Sequence, residues 1–90
     1  MNKNKKEIVE LLAKIKDPKL MGEFLEDLLT PEEFEVITKR LQLVKMLNSG
    51  VPQREISKKL GVAIATVTRG SRQLNESDGF NKILKKYYAK

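Results

Sequence analysis

Apolar positions recur at helical spacing along almost the whole chain. Ile8, Leu11, Leu12 and Ile15 stand at i, i+3, i+4 and i+7, one stripe of a first helix over about residues 4–16. Asp17-Pro18 interrupts it, because proline disfavours helical geometry at the residue before it. Leu20, Met21, Phe24, Leu25, Leu28 and Leu29 form the wide apolar face of a second helix. Thr30-Pro31-Glu32-Glu33 predicts the start of a third: Thr30 caps, Pro31 fills the first helical position, and Glu33 completes a capping box. Phe34, Ile37, Leu41, Val44 and Leu47 carry that helix forward, with Val36, Leu43 and Met46 widening its stripe. It ends at Asn48-Ser49-Gly50, where Gly50 suits a left-handed cap.

Val51-Pro52 opens a short fourth helix through Leu60, Gly61 breaks it, and a fifth runs from about Ala63 to Leu74. Asn75-Glu76-Ser77-Asp78-Gly79 reads as a polar turn, and Phe80, Ile83, Leu84 and Tyr87 line a sixth helix. Tyr87 and Tyr88, followed by Ala89-Lys90, read as a core-edge pair with one ring facing inward, then a frayed end. No period-2 stretch is long enough for a strand, and there is no repeat or low-complexity segment. The expectation is an all-α chain of six helices forming one domain over residues 1–90. Apolar faces this wide on short helices need partners, which points to a homodimer that shares its core. A compact monomeric bundle is the alternative.

Composition narrows the chemistry. Among 90 residues there is no cysteine and no histidine, so thiolate nucleophiles, disulfides and the commonest metal ligand and general base are all missing. No catalytic residue and no metal site is expected, and Asp17, Glu23, Glu26 and Asp27 read as solvated faces and turns. No apolar run approaches the roughly 18–20 residues of a bilayer span, and the lysines near the start lead into no signal-peptide core. A soluble, cytoplasmic protein with no membrane partner is expected.

The net charge of +6 is unevenly placed. Residues 1–39 carry seven lysines against nine acids, and residues 75–90 carry four lysines against two. Residues 40–74 hold Arg40, Lys45, Arg54, Lys58, Lys59, Arg69 and Arg72 against the single acid Glu55, a balance of +6. A concentrated basic segment suits a polyanionic partner, although a solvated basic face gives the same count.

That segment contains the sharpest pattern in the chain. Counting Gln53 as the first position, Ile56, Leu60, Val62 and Val67 fall where two crossed helices must bury side chains. Ser57 is small where the helices cross, and Gly61 takes a left-handed turn. This is a helix-turn-helix over about residues 53–74. Its second helix offers Ile64, Ala65, Thr68 and Arg69 at the exposed N-terminal end, small enough for close entry into a major groove. Gly70 occupies a position where the motif usually has an apolar residue. A helix-turn-helix that docks an acidic protein, as an adaptor, is the rival reading.

Thr30-Pro31-Glu32-Glu33, Arg40-Leu41-Gln42-Leu43-Val44, Gln53-Arg54-Glu55-Ile56 and the run from Ile64 to Ser71 together resemble the tryptophan operon repressor family. The resemblance covers about residues 25–75 well. It implies an intertwined homodimer of six-helix chains, a sequence-specific repressor of double-stranded operator DNA with L-tryptophan, or a related aromatic compound, as corepressor. By the same resemblance Arg40 and Arg69 sandwich the ligand ring, Arg69 pairs with its carboxylate, Thr30 stands at the pocket rim, and Gly70 leaves room for the ring. Gln73 stands where the family has a serine near the ligand's amino group. Gln53, Arg54, Ser57, Ala63, Ile64, Ala65, Thr66 and Thr68 match DNA-facing positions. Ser57 and Gln42 replace basic residues there, and the turn Gly50-Val51-Pro52-Gln53 is one residue shorter than in the best-known members. These departures leave the corepressor and the operator open, and a ligand-independent regulator of the same superfamily is an alternative.

Overall fold

The computed structural model describes residues 1–76 and 78–88. The described residues form six α-helices and no strand: α1 (Lys3–Lys14), α2 (Pro18–Leu28), α3 (Pro31–Asn48), α4 (Gln53–Leu60), α5 (Ile64–Glu76) and α6 (Asp78–Tyr87). The fold is all-α, as the hydrophobic periodicity requires. Its contacts fall into two units, residues 1–35 and 36–90, with the division inside α3.

In the first unit, each helix start is fixed by a short polar side chain. Asn2 accepts from the Lys5 amide to cap α1, and Asp17 accepts from the Lys19 amide to cap α2. Thr30 and Glu33 form the reciprocal box at the head of α3. The Glu33 amide donates to Thr30 Oγ1 at 3.1 Å, and the Thr30 amide donates to Glu33 Oε1 at 2.8 Å. Neither α1 nor α2 contains a buried residue, and Val9, Leu11, Leu20 and Leu28 are exposed. The stripe drawn for the first helix extends one residue too far, because Ile15 leaves helical geometry as the extended C-cap.

The second unit has a core. Leu43 and Val44 of α3, Ile56 of α4 and Val67 of α5 form one buried cluster, sealed by Leu41, Met46, Leu47, Val51, Leu60, Val62 and Phe80. Val44, Ile56 and Val67 are fully buried, and each such side chain contributes about 1.5–3 kcal/mol. The helix-turn-helix therefore shares its core with α3 and is held on it. Its turn is left-handed at Gly61 (φ 65°), and Gly50 closes α3 with φ 83°.

Two sequence expectations change near the C-terminus. The polar turn drawn over Asn75-Glu76-Ser77-Asp78-Gly79 is mostly helix, since Asn75 and Glu76 complete α5 while Asp78 and Gly79 begin α6. No proline falls there, and Gly79 does not adopt a left-handed conformation. Asn81 Nδ2 instead links the helices by donating to the Leu74 carbonyl at 2.8 Å. Tyr87 and Tyr88 are both exposed, and the buried residue of α6 is Leu84. Tyr88 lies under the Lys45 ammonium of α3, 4.6 Å from nitrogen to ring centre, and amphipathic rings sit well at such an edge. Ser77 of the polar turn and the frayed end at Ala89-Lys90 lie outside the described residues.

Candidate nucleic-acid interface and ligand cleft

The helix-turn-helix is fastened by the residues that its spacing singled out. The Ser57 hydroxyl donates to the Val62 carbonyl across the turn, and the Val62 amide donates back to the Ser57 carbonyl at 3.1 Å. Ser57 is thus small because it must fit the crossing, and polar because it closes the turn. Ala63 heads α5, its carbonyl accepting from the amides of Thr66 and Val67. Ile64, Ala65 and Thr68 are exposed on one side of α5. At 100° per residue Arg72 continues that side, and it too is exposed.

From α4, Gln53 reaches across to the same surface, where the Thr68 hydroxyl donates to its Oε1 at 3.0 Å. Arg54 and Lys58 are exposed on α4. Lys59 pairs with Glu55 at 3.1 Å, so the single acid of the basic segment is answered within its own helix. Exposed cations beside small side chains on an exposed helix face suit phosphate contact with close approach to base edges.

A cleft of about 620 Å³ lies within the second unit. Helix α3 lines it with Val36, Lys39, Arg40, Leu43 and Val44, spaced i, i+3, i+4, i+7 and i+8 along one face. Helix α5 lines it with Thr66, Arg69, Gly70 and Gln73, again at i, i+3, i+4 and i+7, while Val62 and Phe80 complete the wall. Four of the five residues assigned to a ligand by resemblance, Arg40, Arg69, Gly70 and Gln73, therefore meet in one site. Thr66, assigned to DNA, lines it as well. Thr30 belongs to the first unit, where it caps α3 and borders a small depression with Glu26, Leu29, Pro31 and Phe34.

Gly70 has a reason for being glycine that its spacing in sequence did not reveal. A Cβ there would run into Leu43 Cδ2, and Leu43 is only 3% exposed. Its missing side chain lets α5 approach the buried leucine of α3, which fills the space that an apolar residue would otherwise take. Lys39, Val36 and Phe80 were not anticipated in the site. The first two share the helical face of Arg40 and could have been found from that spacing, whereas Phe80 depends on how α6 follows α5.

An all-α chain with an exposed reading helix on an acid-poor segment, and a ligand-sized cleft behind that helix, falls in the class of helix-turn-helix DNA-binding regulators. More particularly, it belongs to the Trp repressor family: residues 3–88 match the family described as Trp repressor protein. A Trp operon repressor homolog of Actinobacillus succinogenes is 49% identical over 57 residues, 62% of this chain and 56% of that protein. Homologs from Vibrio campbellii and Chlamydia caviae are each 40% identical over 81 residues, 89% and 88% of this chain and 81% and 80% of theirs. No solved structure gives a significant match. The family is one of DNA-binding regulators and not of catalysts. Among the described residues, no helix is long and apolar enough to cross a membrane.

Proposed function

We propose that this chain is a cytoplasmic transcriptional repressor that binds double-stranded operator DNA as an intertwined homodimer, with L-tryptophan or a related aromatic amino acid as corepressor. The observation that carries this reading is the cleft that gathers Arg40, Arg69, Gly70 and Gln73 between α3 and the reading helix α5. A ligand in that cleft touches the inner face of α5 while DNA meets its outer face. Occupancy can therefore set the angle of the reading helix.

Each residue has a role that follows from its place. The planar guanidinium groups of Arg40 and Arg69 suit stacking on an aromatic ring and forked pairing with a carboxylate. Arg69 borders both faces of α5, so it serves ligand and DNA together. Thr30 accepts from the Glu33 amide, which leaves its hydroxyl proton for a further acceptor. Gln53, Ile64, Ala65 and Thr68 face the groove, with Arg54 on phosphate. The first turn of α4 adds unpaired amides, since Pro52 supplies no side-chain cap. Ser57, Ala63 and Thr66 act by shaping the turn and the inner face. The unburied apolar faces of α1 and α2 support a second copy of the chain as their cover.

In a dimer the two reading helices must enter successive major grooves. The separation general to dimeric helix-turn-helix proteins, the Trp repressor among them, is about 34–36 Å. The ligand favours that spacing only if it binds the DNA-competent arrangement more tightly, and DNA must then tighten the ligand equally. Calorimetry of L-tryptophan binding with and without an operator duplex tests the coupling. Tighter binding on the complex is expected, and equal affinity refutes it.

A further inference from the structure

We propose that Arg72 is a phosphate contact of the reading helix and holds the operator at a wall of the major groove. The inference rests on the DNA-binding reading and adds a residue to it. At 100° per residue, Arg72 projects about 20° from Ala65, about 40° from Thr68 and about 160° from Gly70. Gly70 packs on the buried Leu43 of α3, and Val67 is fully buried. Arg72 therefore stands at the centre of the outer face of α5, and it is exposed there. It makes no ion pair among the described residues. Glu76 lies four residues on, but a cation that precedes its acid on a helix gains less than the reverse order.

Distance along the helix decides what Arg72 meets. It lies eight residues beyond Ile64, about 12 Å along the axis. The major groove is also about 12 Å wide. In helix-turn-helix proteins, the Trp repressor among them, the first residues of the second helix meet base edges. A side chain one groove width behind them meets the sugar-phosphate backbone instead. The α4 side matches this arrangement. The Thr68 hydroxyl donates to Gln53 Oε1 at 3.0 Å and joins the two helices at the reading surface. Arg54 follows Gln53 directly, and Arg72 lies one turn beyond Thr68. A neutral pair suited to base edges thus has an exposed arginine within one turn on either helix. Two such cations suit the two phosphate strands that wall one groove.

Salt titrations on the full chain, with L-tryptophan present throughout, test the contact. The probes are a duplex that the parent selects from a random-sequence pool and an unrelated duplex of equal length. Arg72→Gln should weaken both by about tenfold and lower the log–log salt slope by about one unit per bound chain. Arg72→Lys should restore the slope, because a phosphate accepts a lysine as a point charge. Lys85→Gln on α6 removes the same charge outside the motif and should move the slope by less than about half a unit. Thermal unfolding of all three should match the parent, since each site is exposed. An unchanged slope in Arg72→Gln overturns the phosphate contact while leaving the DNA-binding reading intact. An equal fall in Lys85→Gln does the same, because it reports net charge alone. A loss confined to the selected duplex, with a new base preference in a pool reselected by Arg72→Gln, overturns it in favour of a base contact. If the parent binds no duplex from the pool, both fail.

Discussion

The Thr68 hydroxyl sits between two acceptors, 3.0 Å from Gln53 Oε1 on α4 and 3.1 Å from the Ile64 carbonyl of its own helix. One hydroxyl has one proton, so the bond between helices competes with a bond within α5. Both side chains lie on the surface assigned to the operator. Their contact orients each of them before DNA arrives, and it ties the two helices of the motif at an exposed point where packing does not.

This pairing makes a measurable coupling. Gln53→Ala and Thr68→Val should each weaken operator binding. The double variant should lose less than the sum of the two, by about 0.5 kcal/mol or more. Stability should change by less than about 1 kcal/mol, because the bond is exposed. Mobility-shift titrations of the four proteins give the cycle. Strictly additive losses would mean that the bond does not prepare the reading surface.

At Gly70 two effects oppose each other. Alanine has a better helix propensity than glycine by about 0.8–1.0 kcal/mol. Its Cβ, however, meets the buried Leu43 side chain, and forcing an extra carbon into a packed site costs about 1–3 kcal/mol. Gly70→Ala should therefore destabilise the parent and weaken ligand binding. In a Leu43→Ala background the clash is gone, and the same change should become stabilising. Urea unfolding of the four proteins checks the sign reversal; a Gly70→Ala that stabilises the parent would show that Leu43 has room to move.

How much of this was legible beforehand divides along physical lines. Caps and turns are local, so Thr30-Pro31-Glu32-Glu33, Gly50 and Gly61 announced themselves within a few residues. Arg40, Arg69, Gly70 and Gln73 were placed together only by family resemblance, because no local rule brings α3 against α5. Lys39 was missed although it shares the face of Arg40, since a lysine beside an arginine reads as a solvated charge run. The merging of Asn75, Glu76, Asp78 and Gly79 into helices was missed because polar residues favour turns without enforcing them. Tyr88 settled over Lys45, a contact between residues 43 positions apart that periodicity within α6 does not contain.

Gly61 isolates backbone conformation from packing. Its φ is 65°, and a Cβ added there meets nothing within 4 Å. Gly61→Ala should thus cost about 1–2 kcal/mol through left-handed strain alone, and Gly61→Asn less, because asparagine tolerates that region. Denaturant midpoints measured with unchanged m-values check this. Equal stability for all three proteins would mean that the turn relaxes out of the left-handed region.

Two cations on α4 should contribute differently to DNA binding. Arg54 is exposed without an ion-pair partner among the described residues, whereas Lys59 is held by Glu55 at 3.1 Å. A cation that meets a phosphate releases about one counterion, so its removal lowers the log–log salt slope of binding by about one unit. Arg54→Ala should do so while weakening operator and unrelated duplexes alike. Lys59→Ala should change the slope by less than about half a unit, because Glu55 already neutralises much of that charge. Glu55→Gln should then raise affinity by releasing Lys59, at a cost of only about 0.3–0.5 kcal/mol to the helix, as for other exposed pairs four residues apart. Binding measured across a series of salt concentrations reads all three slopes. Equal slopes for Arg54→Ala and the parent would remove Arg54 from the phosphate contacts.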